Sequence, residues 1–119
     1  MIATAAMLFL AETCLYAIAS LTHAGLLVEG HEHRQAMIAE AVIAAILLLG
    51  LLSVRLRRPW SRVAAISAQS LALLGTLVGA FTIAVGVGPQ TTLDYVTHVV
   101  MILILVCGLV WLARSRIVW

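Results

Sequence analysis

Nine side chains in this sequence could hold a proton, a cation or a metal: His23, His31, His33 and His98, with Glu12, Glu29, Glu32, Glu40 and Asp94. Three of the four histidines and three of the five acids fall between His23 and Glu40, in the stretch HAGLLVEGHEHRQAMIAE. Imidazole and carboxylate together suit a transition metal, because both are borderline or hard donors. The expected donors are His23, Glu40 and His98. Asp94, four residues before His98, is expected to orient that ring. His31 and His33 would assist or form an entrance. Zinc or copper is the natural metal, with iron a further option. No local zinc motif such as HExxH accompanies these residues.

The elements that must position them are apolar. Of 119 residues, 64% are apolar and 10% are charged. Mean hydropathy is +1.15, against about 25% charged residues in soluble domains. Four apolar runs each approach or exceed the roughly 20 residues that cross a bilayer as helix. The reading is an all-α integral membrane bundle of four antiparallel helices over about 2–28, 34–55, 61–87 and 92–114, forming one domain. Short connections force antiparallel neighbours. Met1–Leu10 has no basic start and reads as part of a retained helix, not a signal peptide.

All seven basic residues are arginine. Arg55, Arg57, Arg58 and Arg62 lie between runs two and three, Arg114 and Arg116 follow run four, and Arg34 stands alone between runs one and two. This bias places both termini and the 55–62 loop in the cytoplasm, in a bacterial inner membrane. Trp60, Trp111 and Trp119 are expected at that same interface. The pI near 8.9 therefore reflects topology and not nucleic-acid binding. Cys14 and Cys107 sit in apolar runs and read as small hydrophobes.

At 1.5 Å per helical residue, His23 falls about 7 Å below the outer end of helix 1, with Glu40 and His98 about 7–10 Å below the outer ends of helices 2 and 4. One layer on the outward side would then hold all three. His23 and His98 could alternatively be the axial ligands of a haem b. The glycine face of helix 3, with Gly75 and Gly79 in a GxxxG pattern, would leave room for the porphyrin, and Arg34 would meet a propionate. A purely structural reading of the same residues is a solvated loop, with Glu40 paired to His23 or Arg34. Thr91 and Asp94 read as a capping box for helix 4, and Ser61 as the N-cap of helix 3.

Glu12 lies near mid-membrane in helix 1, on a face shared with Ala5, Tyr16, Ala19 and His23. It should face inward, since a lipid-facing carboxylate is costly. Gln69 lies at nearly the same depth on helix 3. Glu12 hydrogen-bonded to Gln69 or Tyr16 would be polar glue, worth about 1 kcal/mol. As a functional group it would be a proton or cation site, with Gln69 and Tyr16 beside it, in a proton-coupled transporter.

Length, helix number and Leu10-Ala11-Glu12 resemble the small multidrug resistance transporters, in which a helix-1 glutamate is essential. That resemblance implies a transport role for Glu12. The chain departs from the pattern in its Gly86–Gly88 segment, its histidine-rich outer loop and its strong charge bias. The run Gly86-Val-Gly-Pro-Gln-Thr-Thr-Leu-Asp-Tyr-Val-Thr-His98, with His23 and Glu40, resembles small four-helix bacterial membrane proteins of unassigned activity. It implies the fold and an inner-membrane location. There is no P-loop, dinucleotide fingerprint or nucleophile elbow, so binding is expected over catalysis. The lipid bilayer is the expected partner, with a second copy of the chain or a larger membrane complex as further ones.

Overall fold

A computed structural model describes residues 1–115; Arg116 and Trp119 lie outside the described residues. Four helices run in order: α1 (Ile2–His23), α2 (Arg34–Leu56), α3 (Ser61–Ala84) and α4 (Thr92–Arg114). All four are long and apolar enough to cross a membrane. At 22 to 24 residues each, they measure about 33–36 Å, which matches the hydrocarbon thickness. No strand occurs among the described residues.

The packing is inverted relative to a soluble protein. Large apolar side chains such as Met7, Leu49, Leu74, Phe81 and Leu103 stand on the outside, more than half exposed. Glu12, His23, Glu40, Gln69, Thr76 and Asp94 are buried. Lipid tails solvate Leu as well as a core does, so apolar burial alone does not hold such helices together. Small residues and interhelical hydrogen bonds do. A Cβ added to Gly50 on α2 would come within 2.5 Å of the Phe9 ring. The missing side chain lets α1 and α2 close around that aromatic. Ser20 Oγ donates to the Met37 carbonyl at 2.8 Å, fastening the same pair nearer the loop. The core between these contacts holds Phe9, Tyr16, Leu47, Met101, Leu105 and Leu112.

Helix ends follow local chemistry. α1 ends at His23 and not at the expected 28. Gly25 adopts φ +74°, Gly25 N donates to Thr22 O and Leu26 N to Leu21 O. This is a Schellman turn, and it stops the helix although the sequence stays apolar. The same turn ends α3 at Ala84 instead of 87: Gly86 has φ +81°, with Gly86 N donating to Ile83 O and Val87 N to Thr82 O. The capping box of α4 is present in both halves, between Thr91 and Asp94. Ser61 does not cap α3. The N-cap is Trp60, and the Ser61 hydroxyl instead donates to the Ser53 carbonyl at 2.6 Å while accepting from Arg58 N. Arg62 donates to the Ala113 carbonyl at 2.9 Å, a favourable place for a cation at a helix C-terminus.

Sequential helices pack against each other along their length, whereas α1 and α4 meet at few points. The bundle is therefore partly open along the α1–α4 seam. An apolar groove of about 440 Å³ runs there, lined by Leu8, Leu103, Cys107, Gly108 and Trp111 among others. Cys14 and Cys107 are free and exposed on the apolar surface.

Candidate functional site

Two polar centres sit inside the bundle. One lies at the end that carries the α1–α2 and α3–α4 loops, here the histidine end. The other lies at mid-helix.

At the histidine end, His23 is the last residue of α1. Its ring is held between two acids from two other helices. Nδ1 lies 2.7 Å from Glu40 Oε2 on α2, and Nε2 lies 3.0 Å from Asp94 Oδ1 on α4. Carboxylate oxygens only accept, so with both acids ionised the ring donates from both nitrogens and is an imidazolium. Two negative charges then flank one positive charge, and the cluster carries a net charge of −1. A cation suits a helix C-terminus and an anion the first turn of a helix, so the placement of His23 and Asp94 matches both helix dipoles. Asp94 also accepts from Thr91 N at 3.0 Å and from the Thr91 hydroxyl through Oδ2. One carboxylate thus caps α4 and ties it to α1.

The loop above is closed by backbone. His33 N donates to the His23 carbonyl at 2.9 Å. His33 is the N-cap of α2, its Nδ1 accepting from Ala36 N at 3.2 Å, and its ring meets that of His23 edge-on with centroids 6.3 Å apart. His31 makes one long contact of 3.4 Å to the Glu29 carbonyl and stands apart from the cluster.

His98 is one turn further along α4. Its Nδ1 donates to the Asp94 carbonyl at 2.9 Å, which leaves Nε2 as the ring nitrogen not engaged by that bond. That nitrogen points at α3, where a Cβ on Gly79 would lie 3.0 Å away. The glycine face of α3 therefore receives Ile43 at Gly75 and the His98 ring at Gly79, which occupy the space expected for a porphyrin.

Beside the cluster is a cavity of about 170 Å³ between α2, α3 and α4, lined by Tyr16, Glu40, Thr76, Thr82 and His98 among others. This exceeds what one water needs and is smaller than pockets for drug-sized ligands. Hydrogen-bond bookkeeping gives its polarity. Thr76 donates to the Ala72 carbonyl, so the hydrogen in the Tyr16–Thr76 pair belongs to Tyr16. Thr82 donates to the Gly79 carbonyl. Lone pairs on Tyr16 and Thr82 therefore remain, as do His98 Nε2 while its ring is neutral and Glu40 Oε1, since the bond to His23 uses only Oε2. The wall is rich in acceptors.

The predicted site residues thus assemble in part as expected. His23 is hydrogen-bonded to Glu40 and Asp94, and His98 lines one cavity with all three without bonding to the His23 ring. Asp94 serves His98 through its backbone carbonyl, not through its carboxylate. His23 has no lone pair free while both of its contacts stand, for a metal or for haem iron. Among the described residues, no three His, Cys, Asp or Glu side chains are grouped to share one metal ion. Glu40 pairs with His23 and not with Arg34.

The mid-helix centre joins α1 to α3. Gln69 Nε2 donates to Glu12 Oε1 at 2.6 Å. Glu12 is 1% and Gln69 0% exposed. The pairing with Gln69 is the expected one, and Tyr16, one turn along, binds Thr76 instead. Residues that the sequence reading missed are Thr76 and Gly108, whereas Thr82 is on the α3 face expected to carry Gln69, Gly75 and Gly79.

Comparison of the chain with protein-family models, with curated proteins and with solved structures returns no match in any of the three.

Proposed function

We propose that this is a multi-pass membrane protein, with its termini in the cytoplasm, that binds a small organic cation from the outer side. A protonated amine is the class that the cavity suits. The observation that carries this reading is the Glu40–His23–Asp94 cluster. With both acids ionised it is an ion triplet with one unit of negative charge left over, and Glu40, whose Oε1 is not used by His23, lines the cavity. An ammonium group brings donors only, and the wall supplies acceptors from Glu40, His98 and Tyr16. The apolar remainder, including Ile43 and Met101, would cover a short alkyl chain. The arginine distribution supports the orientation, since the histidine end carries only Arg34.

A transition metal at the same place is the second reading. Glu40 Oε1 and His98 Nε2 would be its first donors, and His23 would have to lose a proton and one carboxylate to join them. Zinc or copper would supply Lewis-acid or redox chemistry there.

One experiment separates the readings. Purified protein is titrated with ethylammonium chloride, zinc or copper, against sodium chloride, while thermal unfolding is followed. The amine reading expects ethylammonium to raise the unfolding temperature in a saturable way and Glu40→Gln to abolish the rise. Stabilisation by zinc or copper alone, lost in His98→Ala, would establish the metal reading instead. No response to any of the three cations would sink both.

A further inference from the structure

Glu12 and Gln69 are not explained by the cation site. Glu12 lies eleven residues before His23 along α1, about 16 Å lower, and Gln69 meets it from α3. Gln69 Nε2 reaches Glu12 Oε1 at 2.6 Å and the Leu105 carbonyl more distantly at 3.4 Å. The two remaining oxygens, Glu12 Oε2 and Gln69 Oε1, are buried without a hydrogen-bond partner. Both are acceptors if Glu12 is ionised. No arginine or histidine pairs with Glu12 among the described residues. The groups that face it are Gln69 from α3, the Leu105 carbonyl and Gly108 from α4, and Tyr16 from its own helix. A Cβ on Gly108 would lie 2.6 Å from Gln69 Nε2 and 3.3 Å from Glu12 Oε1, so α4 is shaped to pass close over this pair.

We infer that Glu12 is a proton-binding site, holding one exchangeable proton on Oε2 in an acid–amide pair with Gln69. A proton there converts one orphaned acceptor into a donor, and Gln69 Oε1 is the acceptor that lacks one. The pair then closes as a ring: Gln69 N–H to Glu12 Oε1, and Glu12 Oε2–H to Gln69 Oε1. The first of these bonds is already formed. On release, the O–H bond breaks and the proton passes to a water molecule, giving hydronium. The carboxylate keeps the Gln69 N–H. An ionised, unpaired carboxylate at this depth is strongly disfavoured, so the loaded form is the resting one. Tyr16, one turn along α1 from Glu12, lines the cavity, and Gly108, which lies against the Glu12–Gln69 pair, lines the apolar groove.

The test is infrared spectroscopy of the reconstituted protein in vesicles, in water and in deuterium oxide. A carboxylic-acid carbonyl band is expected in the unaltered protein, shifted to lower frequency by deuterium and missing in Glu12→Gln. Gln69→Leu retains the band and moves it to higher frequency, because the carbonyl loses its N–H donor. This variant keeps the proposal testable if Glu12→Gln does not fold. A hydrophobic carbodiimide, which adds to protonated carboxyls in apolar surroundings, should modify Glu12 at one adduct per chain and spare Glu40 and Asp94. Three results would overturn the proposal: no band difference between the unaltered protein and Glu12→Gln, a band blind to deuterium, or a band removed by sodium ions. The last would assign a metal cation to the site instead of a proton.

Discussion

At the histidine end, the His23 ring is hydrogen-bonded to Glu40 through one nitrogen and to Asp94 through the other. About 16 Å along the same helix, Glu12 has a single amide donor, with two oxygens of the pair unpartnered. Both centres bury carboxyl groups among apolar helices, and they solve the problem with different chemistry. The first compensates charge with charge and uses helix ends to help. The second has no opposite charge within reach among the described residues, and the proton proposed for Glu12 would remove the charge instead. The difference follows from position. Helix termini offer dipoles, caps and a loop that can be wetted, and a mid-helix site offers none of these because its backbone groups are already paired.

The sharpest way to break this contrast is His23→Ala. It leaves two buried carboxylates facing each other and removes the tie between α1 and α4, so a loss of about 3–5 kcal/mol is expected. Unfolding in detergent measures it. If the triple variant His23→Ala, Glu40→Ala, Asp94→Ala is no more stable than His23→Ala alone, charge compensation is not what holds this end. Next in size is Gly50→Ala, whose Cβ would press on the Phe9 ring at 2.5 Å and on the Ala68 Cβ at 3.0 Å. Overpacking of this kind costs about 1–3 kcal/mol. A neutral outcome would show that the helices separate easily at this crossing.

Gln69→Leu takes the one donor from Glu12 and should cost about 1–2 kcal/mol, the lower range for a buried neutral group left unsatisfied. A loss as large as that of His23→Ala would mean that Glu12 is ionised, and the two centres would then not differ in the way described. Gly25→Ala forces an L-residue into φ +74° and should cost about 1–2 kcal/mol, reported as fraying of α1 near His23. The smallest effect belongs to His31→Ala, within about 0.5 kcal/mol, with ethylammonium binding unchanged. Loss of cation binding in that variant would extend the site into the loop.

Much of the site was legible as composition and little of it as geometry. Glu12 with Gln69 could be paired from depth alone, because both lie in uninterrupted helices where residue number converts directly into height. The Thr91–Asp94 capping box was readable from its spacing. The layer of His23, Glu40 and His98 was readable in outline, since with Asp94 they line one cavity. The end of α1 was not, because Gly25 stops that helix five residues before the apolar run does. Asp94 was read as a partner of His98 because four residues separate them. In an α-helix that spacing brings a side chain to a backbone carbonyl as readily as to another side chain, and here the His98 ring takes the carbonyl.

The sequence by itself determined four helices able to cross a bilayer, their approximate bounds, and a concentration of histidine and acid at one end. Those properties depend on hydrophobicity and local turn chemistry, which are summed along the chain. The tertiary structure alone decided that Asp94 and not His98 completes the cluster with His23 and Glu40. It also decided that His98 turns towards Gly79, and that Glu12 and Gln69 leave two oxygens unpartnered. Each of these rests on side chains 17 to 71 residues apart in the chain. Their meeting is set by helix rotation and by which glycine lets a ring approach, neither of which spacing along one helix can encode.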